Sequence, residues 1–195
     1  MHEINDQEIH EIVQRVVGQS MGEPVNSQAP ISPPDCNGAN LVVVALGTDH
    51  GGVALKESLK EYLKEKGYPV IDVGTHTTDS VDYPDIALQV AELVASGKAC
   101  RGIVIDGAGI GSCMAANKVP GVRAALCYDY ATAVNSREHN NANVLTLGAG
   151  LIGMNLAKQI TETWLKTAFG GGRHGRRVDK ITAIEKRFSK DGKVA

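Results

Sequence analysis

Apolar residues along this chain fall into two rhythms. Short β-rich runs occur at 41–47 (LVVVALG), 69–74 (PVIDVG), 102–107 (GIVIDG), 122–127 (VRAALC) and 143–148 (NVLTLG). The central runs are apolar nearly throughout, the pattern of parallel strands covered on both faces. Between them, apolar positions return with helical spacing in VALKESLKEYLKEKG (53–67), DIALQVAELVASG (85–97), GSCMAANK (111–118), DYATAVNSREH (129–139) and LIGMNLAKQITETWLKTAF (151–169). Five β–α repeats predict an α/β fold: a five-stranded parallel sheet, doubly wound and Rossmann-like. The segment VDKITAIEKRFSK (178–190) predicts a short C-terminal helix.

Upstream of residue 41 the rhythm changes. Ile9, Ile12, Val13, Val16 and Val17 form one apolar stripe at helical spacing. Asn5 is placed to cap that helix with Glu8 three residues on, Ile4 and Ile9 form a hydrophobic staple, and Gly18 ends it. Residues 18–40 hold four of the seven prolines and little that could enter a core, so they read as a flexible linker. The expected organisation is an amphipathic targeting helix at 1–17, a Pro-containing linker at 18–40, and an α/β domain at 41–195.

Composition narrows the function classes. Twenty basic residues against 22 acidic ones give a net charge of -2, which argues against a nucleic-acid surface built on bulk charge. No apolar run approaches the roughly 18 residues of a membrane-spanning helix. The acidic N-terminus lacks a signal-peptide pattern, so a cytoplasmic location is expected. Cys36, Cys100, Cys113 and Cys127 show no metal-ligand or CxxC spacing, which predicts free thiols and no metal site.

In doubly wound sheets, ligands bind at the carboxyl ends of the strands. The loops there read GTDHGG (47–52), GTHTTDSVDYPD (74–85), DGAGIGS (106–112), CYDYA (127–131) and LGAGL (147–151). Gly107, Gly109 and Gly111 lie between a strand and a helix, where backbone N–H groups converge on a phosphate or an oxyanion. The same glycines also suit a tight turn with no ligand. Ser112 stands where the dinucleotide fingerprint has its third glycine, so a nicotinamide site is disfavoured. Asp106 ends the strand before this loop, as a general base or as a helix-capping carboxylate. Asp49 and His50 follow the first strand, and His139 and Asn140 close the fourth helix. The cluster Arg173, His174, Arg176 and Arg177 after three glycines reads either as a solvated loop or as a phosphate clamp.

The motifs GTDHGG, DYPD, GAGIGSCMAANKVPGVRAALC, REHNNANVLTLG and GGRHGRR occur in this order. They closely resemble the type B ribose-5-phosphate isomerase family, which also holds the LacA/LacB galactose-6-phosphate isomerases, over residues 41–189. The resemblance implies aldose–ketose isomerisation of a phosphorylated sugar through a cis-enediolate, with ribose 5-phosphate as the first reading. A hexose-6-phosphate isomerase and a noncatalytic sugar-phosphate-binding protein are the alternatives. It implies Asp106 as the base, where many members carry Cys, assisted by Ser112 or a water, with the loop amides at 107–111 as the anion hole. Cys113, one step along, is expected to point into the helix's packing face. His139 matches the ring-opening histidine and Asn140 its neighbouring substrate ligand. Asp49, His50 and Tyr83 match sugar-binding positions, and Arg173 and Arg177 match phosphate-binding ones. No cofactor is implied, and sites are shared across a homodimer or a tetramer. Two departures stand out: Ala108 replaces a common Thr, and Gly150 stands where many members have Arg. The N-terminal extension resembles the encapsulation peptides that dock enzymes on bacterial microcompartment shells, which makes a shell protein the expected partner of residues 4–17.

Overall fold

The computed structural model describes residues 42–188. The expected N-terminal helix and linker, and the division of the chain at residue 41, lie outside the described residues.

Five parallel strands, β1 (Val44–Thr48), β2 (Val70–Gly74), β3 (Arg101–Asp106), β4 (Ala124–Leu126) and β5 (Val144–Gly148), pair in the order β2-β1-β3-β5-β4. The helices are α1 (Val53–Glu65), α2 (Tyr83–Ala95), α3 (Ile110–Ala116), α4 (Tyr130–Glu138), α5 (Met154–Lys166) and α6 (Gly172–Phe188), with one 3₁₀ turn at His50–Gly52. The α/β fold expected from the sequence is the one observed.

Strand periodicity divides the core in two. Val44, Leu46, Ile103, Ile105, Leu145 and Leu147 pack with Leu55, Leu59 and Leu63 of α1 and with Ile160 and Trp164 of α5. Ala45, Val104 and Val144 turn the other way, onto Ala87, Val90, Ala91 and Val94 of α2. Each central strand is covered on both faces, hence the unbroken apolar runs. Gly102 shows how closely α2 packs, since a methyl group there would lie 2.7 Å from the Val90 side chain. Strand order reverses between β1 and β3, so the crevice of the fold opens at the carboxyl ends of these two strands.

The structure departs from the sequence reading in three places. The strand expected at 122–127 is reduced to three residues at the sheet edge, Ala124–Leu126. The GGRHGRR cluster is not a loop: positive φ angles at Gly171 and Gly172 turn the chain, and helix α6 starts at Gly172, six residues earlier than expected. Buried Val178 anchors this first part of α6, which overrides the roughly 1 kcal/mol helix penalty of Gly175. Cys113 and Cys127 are free, as expected, but Cys100 is disulfide-bonded. Disulfides depend on the distance between Cα atoms in the fold, which spacing along the chain does not show.

Candidate active site

The ends of β1 and β3 bring two carboxylates side by side. Thr48 pairs with Ile105, and the Asp49 amide donates to the Ile105 carbonyl at 3.1 Å, so Asp49 and Asp106 occupy matching positions one step beyond the ladder. Both side chains are buried. Asp49 caps the 3₁₀ turn, its Oδ1 accepting from the Gly51 amide at 2.9 Å.

Asp106 is held by its own loop. Its Oδ1 accepts from the amides of Ala108 (2.8 Å) and Gly109, and its Oδ2 accepts from the Ser112 amide (3.0 Å) and hydroxyl (2.6 Å). The carboxylate thus closes the turn at Ala108 and Gly109 and meets the Ser112 amide in the first turn of α3, the turn-forming and capping role the sequence left open beside that of a base. The consequence for the expected anion hole is a correction. Two of its amides, at Ala108 and Gly109, point at the protein's own carboxylate. Charge-assisted bonds of this kind are among the stronger ones in proteins, so the loop shape is fixed by Asp106.

The three glycines divide by task. Gly107 is exposed, and a methyl group added there would meet nothing within 4 Å, so it faces open space at the strand ends. Gly109 is a backbone glycine: its φ is 76°, and a Cβ would lie 2.9 Å from the Leu147 carbonyl carbon. Gly111 is covered by Tyr83, whose ring and hydroxyl would lie 2.5–2.7 Å from a Cβ at that position. Tyr83 opens α2 and remains 40% exposed, so its hydroxyl borders the crevice. His50, also exposed, accepts at Nδ1 from the Val81 amide at 3.4 Å. Asp49, His50, Tyr83, Asp106, Gly107, Gly111 and Ser112 thus gather at one edge of the sheet.

Cys113 turns away from that edge, as expected. Its Sγ lies 3.4 Å from the Ala124 carbonyl, and burial pushes the thiol up from its ordinary range. Tyr128, which sequence reasoning passed over, donates its hydroxyl to the Ala108 carbonyl at 2.6 Å and braces the loop.

His139, Asn140, Arg173 and Arg177 are elsewhere. They sit where α4 ends and β5 begins, the opposite edge of the sheet. Gly148 pairs with Asp106, so about 13 Å of strand separates this edge from the first, at about 3.3 Å per residue from Val144. The His139 ring stacks on His174, with centroids 4.1 Å apart and planes at 3°. Asn135 contacts His139 Nδ1 at 2.8 Å, and Asn140 donates back to the Asn135 carbonyl. Partial burial, then the charges of His139, Arg173 and Arg177, hold His174 below the ordinary histidine range. Arg173 and Arg177, one helical turn apart, are exposed at the start of α6. Arg137 organises this turn from inside: almost fully buried beside Trp164, it donates to the Ala142 carbonyl at 2.5 Å and to Asn141 Oδ1 at 3.1 Å. Its place in the SREHNN motif hid that role, because a lone Arg on a helix reads as a surface residue.

A cavity of about 1000 Å³ lies beside β4, lined by Arg123, Asn135, Asn140, Ile181, Ile184 and Phe188. It adjoins the second group, not Asp106. Among the described residues, Glu57, Asp72 and His76 have metal-ligand spacing, but they lie on the β2 side, with Lys56 bonded to all three. No described helix is long and apolar enough to cross a membrane.

The chain is similar to several known proteins. Residues 44–181 match the family model described as Ribose/Galactose Isomerase. Ribose-5-phosphate isomerase B of Escherichia coli strain K12 is 46% identical over 144 residues, 74% of this chain and 97% of the relative. D-erythrulose-4-phosphate isomerase of Pectobacterium atrosepticum is 42% identical over 146 residues, 74% of this chain and 96% of that protein. Among solved structures, Clostridium thermocellum ribose-5-phosphate isomerase B aligns with a TM-score of 0.75 and 55% identity, covering 76% of this chain and all of that one. The Mycoplasma genitalium enzyme, solved with bound ribulose-5-phosphate, aligns with a TM-score of 0.71 and 42% identity, covering 74% of this chain and 97% of that one.

Proposed function

The chain belongs to the ribose/galactose isomerase family, and we propose that it interconverts ribose 5-phosphate and ribulose 5-phosphate through a cis-enediolate. The observation that carries this reading is the set of crevice residues: Asp49, His50, Tyr83 and the Asp106 loop converge at the strand ends of a fold that a ribulose-5-phosphate-bound relative shares.

Asp106 takes the proton from C2 and returns it to C1. Of its four donors only the Ser112 hydroxyl is free to rotate, because the three amides are fixed by the backbone. Turning that hydroxyl toward the substrate frees Oδ2 as the base, and Ser112 then donates to a substrate oxygen. Asp49, His50 and Tyr83 hold the sugar hydroxyls, and Gly107 and Gly111 let the substrate approach the backbone. His139 opens the ring, with Asn140 beside it, and Arg173 and Arg177 bind the phosphate. About 13 Å of strand separates Asp106 from the His139 edge in one chain. The site is therefore completed by a second copy of the chain, whose His139, Asn140, Arg173 and Arg177 reach the first copy's crevice. Exposed Ile181, Ile184 and Phe188 on α6 supply apolar surface for such an assembly.

A longer substrate, such as a hexose 6-phosphate, is the second reading. Ala108 and Gly150 favour it by leaving the site without the Thr and Arg side chains common at these positions. A panel of tetrose, pentose and hexose phosphates, read by ketose formation and by C2-proton exchange in heavy water, decides between them. Ligand-raised melting without exchange on any of them would instead mean a binding protein. For residues 4–17 we propose docking on a microcompartment shell, on the strength of their apolar stripe alone. A fluorescent protein carrying residues 1–38 then co-purifies with shells, and a diffuse fusion refutes the idea.

A further inference from the structure

Lys56 has no exposed surface, although it carries a charge. A buried ammonium is strongly disfavoured unless each of its three N–H donors finds an acceptor. Here three residues provide them: Glu57 Oε1 at 2.9 Å, the Asp72 carboxylate at 3.0 and 3.1 Å, and His76 Nδ1 at 3.2 Å. These are the three side chains whose spacing would suit a metal ion. The protein's own cation bonds to all of them, and Lys60 closes the far side at 2.6 Å from Asp72. His76 accepts from an ammonium only as a neutral ring.

The cluster holds the root of one segment. Asp72 Oδ1 also accepts from the Gly74 amide at 3.1 Å. The Thr75 amide donates at 2.7 Å to the carbonyl of Thr48, the residue before Asp49. At the other end, the Val81 amide donates to His50 Nδ1. Residues 74–82 therefore run as a strap from the Lys56 ammonium to a side chain in the crevice.

We propose that Lys56, with Asp72 and His76, is a positioning group that fixes this strap and, through Val81, the His50 imidazole. The proposal rests on the reading of His50 as a sugar ligand.

His76→Ala is the deciding variant, because the ring is 64% exposed and its loss leaves no cavity. In the full chain, amide hydrogen exchange over residues 74–82 should quicken about three- to tenfold, the range expected for one hydrogen bond. KM for ribose 5-phosphate should rise by a similar factor, with kcat nearly unchanged, because only binding is loosened. In a His50→Ala background the same change should raise KM less than about twofold, since the contact it acts through is gone. Wild-type exchange in the strap, or an equal KM factor in both backgrounds, overturns the assignment. A folded Lys56→Met variant with wild-type exchange over 74–82 also overturns it. If the wild-type chain converts no aldose phosphate, the functional reading fails separately, and the exchange measurement still decides the strap.

Discussion

Replacing Asp106 by Asn tests two roles of one carboxylate at once. The side chain keeps its shape but exchanges one acceptor oxygen for a donor NH₂. The best orientation keeps the oxygen toward the Ala108 and Gly109 amides and turns the NH₂ toward Ser112. The Ser112 hydroxyl can rotate to accept from it, but the Ser112 amide cannot. One buried N–H then faces a second donor, which costs about 1–3 kcal/mol. The two retained bonds lose their charge assistance, roughly half their strength. Together the loss is about 2–4 kcal/mol, or about 5–15 °C in Tm for a domain of this size. Loss of a general base removes about 10²–10⁴-fold in rate. Turnover and C2-proton exchange should be measured well below the variant's Tm, so that unfolding does not imitate lost chemistry. An unchanged Tm would show that the four bonds do not hold the loop. Wild-type turnover in a folded variant would place the base elsewhere.

The remaining predictions follow from other contacts. Burial pushes the Asp72 carboxyl up, but hydrogen bonds from Lys60, Lys56 and the Gly74 amide outweigh it and hold the group at about 2, below its ordinary 3.8. A depressed carboxylate stabilises the fold above its unfolded value, so about 2 kcal/mol is present above pH 4 and lost as pH falls toward 2. Acid titration of Asp72→Asn should show a flatter stability curve in that window, and an identical curve would refute the pairing. Gly111→Ala forces Tyr83 aside and should raise KM with little change in Tm. Gly109→Ala meets backbone at positive φ and should instead lower Tm. Arg173→Ala and Arg177→Ala should each raise KM about tenfold or more, as charge-assisted phosphate bonds are lost. Unchanged KM in both would mean that the start of α6 is only solvated surface. Chelators should leave activity intact, and restoration of lost activity by a divalent ion would overturn that expectation.

Much of this molecule was legible because local and global signals agree. Apolar runs such as GIVIDG fix a buried parallel strand wherever it lies, and the β–α alternation leaves few ways to cover both faces. Glycine-rich strand ends mark the crevice for the same reason, since a helix must start close to a strand there. The motif order carried the family, and with it most candidate residues.

Tertiary structure decided what those residues face. Sequence left Asp106 open between base and cap, and only the fold showed three amides and a hydroxyl converging on it. The sequence places His139 at the close of the fourth helix, and the fold shows what it meets there, the ring of His174 stacked 4.1 Å away. The charged positions of α1 look like a solvated face in KESLKEYLKEK, but β2 brings Asp72 up beneath them and makes Lys56 an interior cation. Hydrophobic period is a property of neighbours along the chain and survives in one dimension. Hydrogen-bond partners of buried charges lie as far as 30 residues apart, and only the folded chain brings them together.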